Sequence, residues 1–244
     1  MSAFFFGPPG RQLFGYLHLP PAEPKAAAVL CAPWASEYQY AHRALHFLAQ
    51  RLADAGCSVL RFDYSGTGDS WGHSVEADLD RWVGEVKDAV AELRAASGAG
   101  SVDLVGLRLG AFVAARAANE IPSVGSVVLW DPITDGEQWL REQGVGSDGF
   151  DGFEGREIEV ADSIVPDRFI QQLRAVRAEA FSIPSARRVL LLLTQPGASA
   201  RCVPTGARLE TVIVEQPAPW VEDQSIWTGQ IPILAVGRIA EWLT

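Results

Sequence analysis

Gly106-Leu107-Arg108-Leu109-Gly110 is the stretch that decides how this chain folds. The strand-like run Val102-Asp103-Leu104-Val105 leads into it, and a helix of small residues from Ala111 to about Asn119 follows. A strand, a tight turn and a helix in succession, with glycines two residues either side of the centre, are the frame of a nucleophile turn. The central position of such a turn presents Ser, Cys or Asp. Here it is Arg108, whose permanently protonated guanidinium cannot attack a carbonyl. The frame therefore predicts a fold without predicting its usual chemistry.

Working outward, Phe4 to Phe6, the turn Gly7-Pro8-Pro9-Gly10 and Gln12 to His18 read as two antiparallel strands. Ala26 to Cys31 is a small apolar run suited to a strand buried on both faces. Ala41, Ala44, Leu45, Leu48 and Leu52 recur at helical spacing up to Asp54, and Gly56 stands at the C-cap position. Ser58 to Phe62 is a strand ending in the polar, glycine-rich turn Asp63 to Ser70. Leu79, Trp82, Val83, Val86, Val90 and Leu93 then mark one helix face, with Asp78 and Asp80 at its N-terminal end. Beyond the turn helix, Gly125 to Trp130, Arg188 to Thr194 and Leu209 to Val214 read as strands, and Ile231 to Leu243 as a closing helix. This order predicts an α/β fold with a mostly parallel central sheet of about eight strands and helices on both faces. One domain, 1–244, is expected. A cap insertion over 133–184 has an acidic, glycine-rich first half, read as a mobile lid, and an amphipathic helical segment from Pro166 to Phe181.

The composition is 48% hydrophobic, enough for a sizeable core, and the net charge of −10 argues against nucleic acid and anionic membrane surfaces as partners. Three scattered cysteines, Cys31, Cys57 and Cys202, form no disulfide framework, so a reducing cytoplasm is the expected setting. The N-terminal residues lack the charged region of a signal peptide, and no apolar run approaches the length of a membrane span. No cofactor is expected, and a homodimer is left open.

Phe62-Asp63-Tyr64-Ser65-Gly66-Thr67-Gly68-Asp69-Ser70 resembles the D-x-x-G-x-G-x-S signature of α/β-hydrolases, and the arginine-bearing turn lies where that superfamily puts its elbow. Pro33-Trp34-Ala35-Ser36-Glu37, the elbow, Leu129-Trp130-Asp131-Pro132 and Pro217-Ala218-Pro219-Trp220 are similar to the exosortase A system-associated hydrolase group, which also carries Arg in the elbow. The resemblance implies the α/β-hydrolase fold with a cap, and a hydrolase label for the chain.

The superfamily's triad is completed by an acid and a His that follow later strands. All four His, at 18, 42, 46 and 73, precede the elbow, and the loop after Thr194 carries no carboxylate. A Ser-His-Asp mechanism is thus not expected. An oxyanion site can persist without it, built from the N–H groups of Leu109 and Trp34, with Ser36 and Trp220 as further ligand-binding candidates. Arg108 either binds an anionic group in the pocket or forms an ion pair with a neighbouring acid. Glu37 and Asp131, from loops flanking the elbow, are the acids expected beside it, as proton-transfer groups or as an ion-pair network.

Other constellations read more plainly. His42 and His46 are four apart on a helix, but no third metal ligand accompanies them, so no metal site is expected. Cys31 reads as a packed thiol, and Asp63 to Ser70 as a structural turn. Trp34, Trp130, Trp139 and Trp220 at the strand ends suggest either an aromatic-lined cleft or packing of the insert. The glycines from Gly144 to Gly155 lack calcium-loop spacing. Two functions stay in view: a hydrolase-like enzyme on a small acyl, ester or thioester substrate, with Arg108 as anion anchor and Glu37 or Asp131 handling protons, and an inactive pseudo-hydrolase that binds a ligand or scaffolds a partner. A weaker third is a non-covalent lyase or isomerase.

Overall fold

The computed structural model describes residues 1–145, 157–181, 183, 186–194, 208–218, 220 and 230–244. Its strands are Ser2–Phe6 (β1), Leu13–His18 (β2), Ala26–Cys31 (β3), Cys57–Phe62 (β4), Val102–Leu107 (β5), Val124–Trp130 (β6), Glu157–Val160 (β7), Ser163–Pro166 (β8), Arg188–Leu193 (β9) and Arg208–Ile213 (β10). Its helices are Ser36–Asp54 (α1), Leu79–Ser97 (α2), Leu109–Glu120 (α3), Gly136–Glu142 (α4), Asp167–Arg174 (α5) and Ile233–Leu243 (α6). Eight strands form one sheet in the order β1-β2-β4-β3-β5-β6-β9-β10. The β1–β2 and β2–β4 pairs are antiparallel, and every other neighbour is parallel.

The apolar runs of β3, β5, β6 and β9 lie at the centre because helices cover both faces, leaving no solvated side to reward alternation. Leu45, Leu48 and Leu52 of α1 and Val236 and Ile239 of α6 pack on one face, against Leu30, Val105, Val128 and Leu190. On the other face Trp82, Val86 and Val90 of α2 and Val113 of α3 meet Val29, Leu60, Leu104 and Val127. Asp78 caps α2 by accepting from the N–H groups of Asp80 and Arg81 at 2.9 and 3.2 Å, worth about 1 kcal/mol. Gly98 ends that helix in the left-handed conformation.

Three local differences from the sequence reading have clear causes. Helix α1 begins at Ser36 rather than Ala41, because its first turn, Ser36-Glu37-Tyr38-Gln39, is too polar to continue the apolar period. Glu37 is therefore a helix residue and not a loop residue. Between β6 and β9, the hairpin β7–β8 and the short helix α4 are too brief for periodicity to reveal. The amphipathic segment divides into α5, ending at Arg174, and a 3-10 turn at Ala178–Phe181. The Gly144 to Gly155 lid expectation falls, from residue 146 onward, outside the described residues, as does Cys202.

Candidate functional site

The chain leaves β3 for β4 on one side of it and later places β5 on the other. The loops after β3 and β5 therefore diverge around a crevice at the carboxyl ends of the strands, where open α/β sheets bind ligands. Cys31 lies opposite Gly106, Leu107 opposite Trp130, and Trp130 opposite Leu192. The 32–35 loop, the elbow, Asp131 and Thr194 thus open at the same end of the sheet.

Arg108 occupies the elbow with φ 56° and ψ −120°, a sparsely populated conformation that costs about 1–3 kcal/mol. The surroundings enforce it. The Arg108 N–H donates to the Trp130 carbonyl at 2.9 Å, and the Ala111 N–H donates to the Arg108 carbonyl at 3.0 Å. A Cβ on Gly106 would sit 2.4 Å from Ala111 Cα, and one on Gly110 would sit 2.2 Å from the Cys31 carbonyl oxygen. Both flanking positions are closed to any side chain.

The Arg108 guanidinium is held on two sides. Nε and Nη2 both donate to Glu37 Oε1, at 3.1 and 2.8 Å, and Nη1 donates to the backbone carbonyl of Asp131 at 3.2 Å. Trp139 Nε1 of α4 adds a third donor to Glu37 Oε1 at 3.1 Å. Glu37 Oε2 is buried and has no hydrogen-bond partner among the described residues. One carboxylate oxygen is thus saturated while the other is an unused acceptor. Glu37 and Arg108, far apart in sequence, meet because α1 follows β3 and the elbow follows β5, its neighbour.

Asp131 presents only its carbonyl to Arg108. Its carboxylate turns toward the loops after β9 and β10: Oδ1 accepts the Thr194 N–H at 2.8 Å, and Oδ2 accepts the Thr194 hydroxyl and the Trp220 indole N–H, the latter at 3.2 Å. Burial pushes the Asp131 carboxyl above the usual range, against those hydrogen bonds and the Arg108 charge. Thr194 escaped the sequence reading because nothing in a strand-end threonine announces a partner 63 residues away.

Trp34 is buried among Trp82, Trp139 and Phe169, with ring centroids 6.5, 6.1 and 4.9 Å away. Two of these rings, Trp139 of α4 and Phe169 of α5, come from the segment between β6 and β9, which packs directly on the 32–35 loop. The N–H groups of Trp34 and Leu109 have no acceptor among the described residues. Ser36 opens α1 and is half-buried. Beside the guanidinium lies an open cleft of about 140 Å³ lined by Arg108, Ile133, Thr134, Asp135, Gln138 and Glu142, among others. Its lining is mostly polar and sets two carboxylates, Asp135 and Glu142, near the Arg108 guanidinium.

The remaining candidates lie elsewhere. Arg61 of β4 stands between two of the histidines, with Nε donating to His18 Nε2 and Nη2 facing His46 Nδ1, both at 3.3 Å. Among the described residues no group of three or more His, Cys, Asp or Glu is placed to hold a metal ion. Burial pushes the Cys31 thiol up to about 12, which leaves it protonated and unreactive. In the Asp63 turn, the Asp63 carboxylate accepts the Tyr38 hydroxyl at 2.5 Å and the Asp69 N–H at 3.1 Å, which closes the turn on itself.

Beneath that turn, the buried Glu85 of α2 accepts the Ser65 N–H at 3.0 Å. Burial raises its carboxyl from the usual 4.5 to about 7. The folded chain therefore keeps a proton that the unfolded chain gives up between those values. Its contribution to stability is complete below pH 4.5 and is lost as pH rises through 7. Glu85→Gln is expected to match the parent at pH 4 and to exceed it by up to about 3 kcal/mol at pH 9 in urea denaturation. Equal stabilities at both pH values would refute this.

A search of curated proteins finds no match for this chain. Solved structures share the fold. Est1E from Butyrivibrio proteoclasticus, determined with ferulic acid bound, superposes with a TM-score of 0.72 at 16% identity, covering 98% of this chain and 97% of that one. Mouse alpha/beta hydrolase domain-containing protein 10 gives 0.65 at 17% identity, with 100% of both chains covered. An alpha-beta serine hydrolase homologue from Coxiella burnetii gives 0.57 at 16%, covering 98% and 97%. The parallel sheet, the glycine-framed elbow at its switch point and these neighbours define an α/β-hydrolase fold. The family model for the serine aminopeptidases, S33 (Hydrolase_4), matches residues 22–143, half of the chain, and the protein belongs to that family.

Proposed function

We propose that this chain is a pseudo-hydrolase that binds a small carboxylate- or acyl-bearing molecule in the cleft beside Arg108, without forming an acyl-enzyme. The observation that carries this reading is the elbow itself. Its central side chain is a cation held by Glu37 and the Asp131 carbonyl, with N–H groups left over to meet an acceptor oxygen. The N–H groups of Leu109 and Trp34, the expected oxyanion donors, do not line that cleft, so the reading rests on the guanidinium. The same reading places the chain in the exosortase A system-associated hydrolase group, whose elbow arginine it shares, and in the cytoplasm, in keeping with the free buried thiols of Cys31 and Cys57.

Ferulate, bound by Est1E, is a suitable probe because it joins a carboxylate to an aromatic ring. Calorimetry is expected to show ferulate or a simpler aromatic carboxylate binding, and Arg108→Met to weaken it about tenfold or more, the loss of one charge-assisted contact. Equal binding by the variant would remove Arg108 from the site.

One observation favours an enzyme instead: the buried, unpartnered Oε2 of Glu37, which could take a proton from water attacking an ester or thioester. Hydrolysis of p-nitrophenyl esters or acyl-CoA that disappears in Glu37→Gln would establish that second reading. We expect no turnover above background.

A further inference from the structure

We infer that Asp131 and Trp220 are the acid and the replaced base of a triad whose nucleophile position is Arg108, so that the site is substituted at two positions and retains its third. This deepens the pseudo-hydrolase reading and rests on it. Nucleophile, acid and base follow one another along the chain in this fold. Arg108, Asp131 and Trp220 stand in that order, after β5, β6 and β10. The Asp131 carboxylate has the burial and hydrogen bonding of an acid that holds a neighbouring ring in place. It is 8% exposed, and Thr194 fixes both of its oxygens.

The ring it holds is an indole. Trp220 Nε1 donates to Asp131 Oδ2 at 3.2 Å, the bond an imidazole N–H would make to a triad acid. Trp220 is 4% exposed and packs edge-on against Trp130 at 5.0 Å, which fixes its plane. An indole nitrogen only donates, so Trp220 preserves the contact to the acid while offering no lone pair to accept a proton. An arginine at the elbow requires no base. The two substitutions fit one another, and Asp131 touches both, through its carboxylate and through its carbonyl.

The contact is tested first in the unsubstituted chain. The Trp220 indole N–H is expected to exchange slowly, and Asp131→Asn to speed exchange about tenfold or more, as loss of a buried charge-assisted bond requires. An indole N–H that exchanges as rapidly as an exposed one overturns the inference. In Trp220→His, the new imidazole is expected to titrate above about 6.5 and to return toward that value when Asp131→Asn is added. A new imidazole that titrates like a free one, with or without Asp131, also overturns it.

Arg108→Ser combined with Trp220→His then restores the remaining groups. On p-nitrophenyl acetate the introduced hydroxyl adds to the carbonyl carbon as its proton passes to the imidazole, nitrophenolate leaves as the C–O bond breaks, and the imidazolium gives its proton to solvent. Water then cleaves the acyl-serine, its proton taken up by the imidazole and given back to the serine oxygen, and acetate is released. We expect turnover about 10²-fold above the parent, lost on further change of Asp131 to Asn. No gain would show that position 108 is not aligned with the Asp131–Trp220 pair. Ferulate binding by the parent chain decides the ligand reading separately.

Discussion

Glu37→Ala is expected to cost about 3–5 kcal/mol of stability, the range for breaking a buried ion pair from one side. The Arg108 side chain is 17% exposed and that of Glu37 7%, so little solvent is available to replace the lost carboxylate. Three donors, Arg108 Nε and Nη2 and Trp139 Nε1, converge on the same oxygen and would lose their acceptor together. Removing the charge from both sides should be milder. Glu37→Ala with Arg108→Met is expected to recover much of the loss, because no unpaired guanidinium is left in the crevice. Urea denaturation of the parent, the two single variants and the double variant measures the coupling. A double variant no more stable than Glu37→Ala would show that the cost lies in packing around Trp139 and not in the ion pair.

Gly110→Ala should be as damaging, for a steric reason. The added methyl would lie 2.2 Å from the Cys31 carbonyl oxygen and 2.4 Å from that of Ala32. Both are backbone atoms at the end of a central strand, so relief requires α3 to move off β3 as a unit. We expect a loss of more than about 4 kcal/mol and a chain recovered largely unfolded. Thermal melting checks this, and a folded variant within about 1 kcal/mol of the parent would mean that the elbow helix can shift freely. Gly237 of α6 is the control, since a Cβ there meets nothing within 4 Å. Alanine at 237 should stabilise by a few tenths of a kcal/mol to about 1 kcal/mol through helix propensity.

The fold was legible because its signals are local. The small apolar run of β3, the helical period of α2 and the glycine frame around Arg108 each concern residues within a few turns of one another. The start of α1 was not legible, since its first turn is polar, and neither were the short elements β7, β8 and α4. The site was legible only as a list of residues near one another. That Glu37 would saturate one oxygen on Arg108 and Trp139 and leave the other unpaired depends on side-chain directions from three separate elements. Asp131 shows the same limit. Its place after β6 is readable, but the rotation of its carboxylate away from Arg108, toward Thr194 and Trp220, is not.

Sequence alone determined that this chain builds a parallel sheet with a glycine-framed elbow and that the elbow carries no nucleophile, because periodicity, glycine spacing and side-chain identity are properties of neighbouring residues. Only the tertiary structure decided what the arginine does with its charge. The crossover that sets β3 beside β5 brings the first turn of α1 to the elbow, and the alignment of β6 with β9 brings Thr194 to Asp131. Hydrogen bonds between residues 63 to 102 positions apart then settle which of these groups are satisfied and which are left without a partner among the described residues. Such bonds depend on distance and angle in space, which spacing along the chain does not encode.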